Sequence, residues 1–177
     1  MFLTKRTVAK LFIVAIGLQG AILSGQYLNS VYPLYLGKEV RLKIQPVDPR
    51  SKFRGQYVAL NYDIGSIPNS KIEGKDQNWS RGDSVYVSLV ERSDIWEIDR
   101  ASAVKPSSGV FIRGKIVSHR SWSADSLMIA YGIEAYFASP AKALELEGRV
   151  RSRRAQYADV KVASNGKAAL VDIVTDI

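Results

Sequence analysis

From Leu11 to Val31 the chain reads LFIVAIGLQGAILSGQYLNSV, 21 residues without a formal charge. As an α-helix rising ~1.5 Å per residue, such a run is ~31 Å long and matches the hydrocarbon core of a bilayer. Lys5, Arg6 and Lys10 precede it, and cations beside a span concentrate on its cytoplasmic side. The pattern predicts a cytoplasmic tail over 1–10, a transmembrane helix over 11–32 stopped by Pro33, and an extracytoplasmic domain over 37–177. Tyr27, Tyr32 and Tyr35 gather at the far end, where amphipathic rings favour the headgroup interface. A cleaved signal peptide would need small residues at both −3 and −1 of the cut. A cut after Gly25 places Leu23 at −3, and a cut after Ser24 places Ile22 there. The expectation is therefore a retained single-pass anchor in an inner or thylakoid-type membrane.

Within this run Gly17, Ala21 and Gly25 recur every four residues and so form one stripe of small side chains. Such a stripe lets a second membrane helix approach closely, and Gln19 or Gln26 can add an interhelical hydrogen bond. Gly17, Gln19, Ala21 and Gly25 are the candidate packing residues, with a multi-pass membrane protein or complex as the expected partner beside the lipid bilayer.

Beyond the anchor about 140 residues remain, enough for one ordinary domain with its own core. The chain has no cysteine, which removes disulfides, zinc–thiolate sites and a cysteine nucleophile. The formal charge is +8, and subtracting the three cations ahead of the run leaves +5 for the rest. A modest excess on a membrane-anchored domain argues against a nucleic-acid partner.

Alternation marks the strands. Val40, Leu42 and Ile44 interleave with Arg41 and Lys43; Val58, Leu60, Tyr62 and Ile64 share one face of a strand over Tyr57–Ile64. Ile67–Ser80 is polar and reads as a loop. Val85, Val87 and Leu89 start another strand, with Ile95–Ile98 as its hairpin partner. Val110–Ser118 and Ser126–Tyr131 follow. Ser139 as N-cap and Pro140 at the first helical position open the one helical stretch of the domain. A hairpin turning at Asn165-Gly166 ends the chain, with strands over Tyr157–Val162 and Ala168–Val174. The predicted fold is mainly β, a curled antiparallel sheet or small barrel with one short helix in its C-terminal half.

The most distinctive segment is PVDPRSKFRGQYVALNY, residues 46–62. Pro46 and Pro49 stiffen it, Asp48 suits an Asx-type turn, and Gly55 suits a positive φ that re-aims the chain. Arg50 and Arg54 can pair with Asp48 or hold an external anion. Gly55-Gln56-Tyr57-Val58-Ala59-Leu60-Asn61-Tyr62 resembles the motif that names the bacterial GDYXXLXY family. Looser matches lie at Arg81–Val87 and at Tyr131-Gly132-Ile133-Glu134-Ala135-Tyr136-Phe137. The resemblance implies a membrane-associated protein, often linked with multi-pass membrane proteins, and supplies no reaction. Gln56 stands where the family motif has aspartate, so a role needing a carboxylate there loses its support. Asp48, Arg50, Arg54, Gln56, Tyr57 and Tyr62 are the candidate partner- or ligand-binding residues.

No catalytic constellation stands out. His119 is the single histidine, so a multi-histidine metal site is excluded, and no nucleophile elbow surrounds Ser118, Ser121 or Ser123. Arg149, Arg151, Arg153 and Arg154 form a basic cluster beside Glu145 and Glu147. No cofactor and no metal is expected. These features predict a non-enzymatic accessory subunit or interaction protein docking on a larger membrane complex. The alternative is an envelope hydrolase or ligand-binding enzyme that uses the Asp48–Tyr62 region.

Overall fold

The computed structural model describes residues 5–45, 57–74, 79–119, 126–137 and 156–175. Helix α1 (Lys5–Leu36) leads through Gly37 into β1 (Lys38–Gln45). The chain then forms β2 (Tyr57–Ala59), β3 (Asn61–Tyr62), β4 (Ser66–Pro68), β5 (Ser84–Arg92), β6 (Ile95–Ser102) and β7 (Val110–His119). It closes with β8 (Ser126–Ala130), β9 (Ala135–Phe137), β10 (Gln156–Val162) and β11 (Ala168–Thr175). The expected helix from Ser139, the Arg149–Arg154 cluster and Gly55 lie outside the described residues.

The strands pair antiparallel throughout: a four-stranded sheet in the order β11-β10-β1-β3, a five-stranded sheet in the order β4-β8-β7-β5-β6, and a two-stranded ladder of β2 with β9. One apolar cluster joins them. Val40 and Leu42 from β1 and Val160 from β10 meet Val85, Val87, Ile112 and Leu127 from the five-stranded sheet. Period-two alternation is followed closely in β1, where Val40, Leu42 and Ile44 are buried and Arg41, Lys43 and Gln45 exposed. In β6 the period breaks, because Ser88 faces Arg100 while Leu89 faces Ile98. The extra residue is a bulge that leaves both Asp99 and Arg100 exposed and returns Ala101 to the core. Ser93 and Asp94, both with positive φ, make the two-residue turn between β5 and β6.

Three expectations need correction. Pro33 does not stop the helix: α1 continues through it to Leu36. Tyr57–Ile64 is not one strand. The chain pairs with β9 up to Ala59, turns to β1 at Asn61, and ends in a 3₁₀ turn over Asp63–Gly65. Leu60, Tyr62 and Ile64 are nonetheless all buried, as the alternation predicts. Ile67–Ser80 is not loop throughout, since Ser66–Pro68 pairs with Ser126–Met128 and buries Ile67. There a tertiary partner overrides a polar local composition.

Candidate functional site

Helix α1 contains a stretch, Ala9–Leu36, that is long and apolar enough to cross a membrane, and from Ala9 to Ser30 every residue of it is exposed. Gly17, Gln19, Ala21 and Gly25 are exposed, and a Cβ built on Gly17, Gly20 or Gly25 meets nothing within 4 Å. The small-residue stripe is thus open for its whole length.

The C-terminal end of the helix is fastened to the domain. A proline at position 33 cannot donate to the carbonyl four residues earlier, that of Asn29. Lys167 Nζ, from the turn before β11, donates to Asn29 O at 2.6 Å. Lys161 Nζ on β10 donates at 3.1 Å to Leu34 O, one of the last-turn carbonyls with no partner inside a helix. Tyr32 Oη and Ser164 Oγ lie 3.3 Å apart. Gly37 N–H donates to Pro33 O at 2.8 Å, and a Cβ on Gly37 would stand 2.3 Å from Pro33 O and 2.9 Å from Lys161 Cβ. Glycine is therefore required where helix and sheet touch. Pro33 itself is fully buried at this joint.

At the end of the motif the Tyr62 side chain is committed to the fold. Tyr62 is 4% exposed and its hydroxyl donates to Ile133 O at 2.8 Å. Tyr131, 8% exposed, donates its hydroxyl to Ile64 O at 2.6 Å. Leu60 N–H donates to Glu134 O at 2.8 Å. Gly132 takes φ +84, a conformation costly for other residues. It turns its own N–H and that of Tyr131 onto the Glu134 carboxylate, at 2.9 Å for Gly132. Burial, and then the Glu134 charge, push both tyrosine hydroxyls well above the ordinary phenol range.

Among the candidate binding residues, Tyr62 is this buried lock, and Tyr57 lies in β2 opposite Phe137. Asp48, Arg50, Arg54 and Gln56 lie outside the described residues. Sequence reasoning missed Tyr131 and Glu134 as partners of the motif, and Lys161 and Lys167 as partners of the helix. A proline inside an apolar helical run was the available signal for the latter, because it frees one carbonyl that needs a donor.

Open grooves line the surface. One of about 340 Å³ gathers Glu39, Glu91, Asp94 and Asp159 around Arg41, and Arg41 is already paired with Asp159 at 2.8 Å. Another, about 620 Å³, runs from Leu36 and Lys38 past Lys105 and Phe111 to Ser164. Among the described residues no group of three or more histidine and acidic side chains is placed to hold a metal.

A family model described as GDYXXLXY protein matches residues 19–173. No curated protein and no solved structure matches the chain.

Proposed function

The chain belongs to the GDYXXLXY protein family, and we propose that it is a membrane-anchored, non-enzymatic accessory protein. Its helix packs against a larger multi-pass membrane protein, and its β domain docks on that partner's outer face. The cations Lys5, Arg6 and Lys10 set the N-terminus in the cytoplasm by the positive-inside tendency. The domain then lies on the periplasmic side of a bacterial inner membrane, or the equivalent side of a thylakoid-type membrane.

One observation carries this reading. The apolar helix is held at its C-terminal end by Lys161 and Lys167, yet its small-residue stripe is left bare. Holding the domain in a fixed pose on the anchor lowers the ordering cost of engaging one partner through both parts at once. An envelope hydrolase or ligand-binding enzyme built on Asp48–Tyr62 gains nothing from Tyr62, whose hydroxyl is committed to Ile133 O.

Exchanging Leu11–Val31 for a leucine-rich helix of equal length tests the proposal. The chimera should still insert and should lose the membrane protein that accompanies the natural chain through mild-detergent purification. Retention of that companion by the chimera would exclude the helix as the docking face.

A further inference from the structure

The end of the domain that touches the anchor is basic and carries exposed apolar tips. Lys161 and Lys167 stand against the helix. Arg113 is joined to the same turn, its N–H donating to Gly166 O at 2.7 Å. Across the neighbouring groove lies Lys105, its ammonium 5.7 Å from the Phe111 ring. Beside it Val104 is 74% exposed, and Leu36 at the helix end is 71% exposed. We infer that this collar of Lys105, Arg113, Lys161 and Lys167, with Val104 at its tip, binds the anionic headgroups of the leaflet from which α1 emerges.

The depth of the turn supports the placement. Lys167 meets the helix at Asn29, which lies ~10 Å below the helix end at ~1.5 Å per residue. The stretch Ala9–Leu36 has 28 residues, so it is ~42 Å long, about the thickness of a bilayer with its headgroup layers included. A helix of that length leaves its last turn among the headgroups and Asn29 near the hydrocarbon boundary, so the hairpin turn bonded there sits at the inner edge of the phosphate layer. Lysine has three donors; Lys161 and Lys167 each give one to a helix carbonyl and keep others for phosphate oxygens. Glu39, 3.8 Å from Lys161, offsets one of the four charges and leaves the collar positive. Cations placed there gain from an anionic surface, while an exposed valine beside a lysine suits shallow insertion between headgroups. This inference rests on the membrane anchoring proposed above, but not on any protein partner.

The natural chain has no cysteine, so a single introduced thiol can be labelled uniquely. Full-length Val104→Cys carrying an environment-sensitive fluorophore is placed in nanodiscs of phosphatidylcholine, or of phosphatidylcholine with phosphatidylglycerol. Leu18→Cys reports the anchor, and Gln45→Cys, at the other end of β1, reports water. The expected result is quenching of the Val104→Cys label by a headgroup-borne nitroxide in anionic discs, with less in neutral discs. Adding Lys105→Gln and Arg113→Gln should abolish the difference between the two lipids. A Val104→Cys label as water-exposed as Gln45→Cys, beside a lipid-buried Leu18→Cys label, would overturn the collar and leave the anchor standing. A water-exposed Leu18→Cys label would overturn both. Insertion that ignores lipid charge and survives the double substitution would overturn the recognition of anionic headgroups.

Discussion

Tyr62 and Tyr131 exchange hydrogen bonds across the domain: the Tyr62 hydroxyl donates to the carbonyl two residues after Tyr131, and the Tyr131 hydroxyl to the carbonyl two residues after Tyr62. Tyr62 ends β3 in the four-stranded sheet, and Tyr131 follows β8 in the five-stranded sheet. The last residue of the motif therefore clasps one sheet to the other.

Tyr62→Phe removes a donor and leaves Ile133 O unpaired in the interior, which costs ~1–3 kcal/mol. Tyr131→Phe should cost a similar amount through Ile64 O. Because both bonds close the same joint, the double variant should lose less than the sum of the two. Denaturant melts of the detergent-solubilised full chain measure all three values.

The same pair gives the fold an alkaline limit. In the unfolded chain each phenol ionises near 10.0, whereas in the folded protein burial and the nearby Glu134 charge hold it protonated to higher pH. A folded-state pKa raised above the unfolded one leaves stability intact below pH 10 and erodes it as pH climbs toward the folded value. Each tyrosine should contribute a loss of ~1.4 kcal/mol per pH unit in that window. Melts from pH 9 upward should show a shallower decline for the double phenylalanine variant than for the natural chain.

Gly114 sits where β7 runs beneath this joint. An added Cβ would stand 2.3 Å from Ile129 Cγ2 and 2.9 Å from Tyr131 Cδ1. Gly114→Ala should destabilise by ~1–3 kcal/mol through overpacking. At Gly65 the nearest atom to an added Cβ is Ile129 O at 3.8 Å, an ordinary contact, so Gly65→Ala should be close to neutral. Parallel thermal melts distinguish the two.

The helix–hairpin joint should respond to Gly37→Val, whose side chain would drive Pro33 O and Lys161 apart. Hydrogen exchange followed by mass spectrometry should show faster exchange around Leu34–Lys38, with protection in β5 and β7 unchanged. Equal exchange in the two proteins would mean that the joint tolerates the added bulk.

Local patterns made much of this architecture legible. Alternation at Val40–Ile44 and Val85–Leu89 marks buried faces that the structure keeps, and Asn165-Gly166 marks the turn between β10 and β11. Uncharged length alone marks the helix. What stayed hidden depends on partners remote in sequence. The Tyr62 hydroxyl finds a carbonyl 71 residues away, and the donor to the Asn29 carbonyl that Pro33 leaves free comes from 138 residues away. No periodicity carries such pairings. The change of sheet at Leu60 was invisible for a related reason: the alternation of residue types in the sequence continues unbroken while the hydrogen-bonding partner switches from β9 to β1.

Docking through the helix stripe is tested by purifying the full chain from its native membrane in mild detergent, beside a Gly17→Leu, Gly25→Leu variant, with co-purifying proteins identified and quantified. A multi-pass membrane protein should accompany the natural chain in fixed ratio and be largely lost from the variant, while both proteins remain membrane-inserted. The same companion at the same ratio in both, or a natural chain that purifies alone, would contradict it.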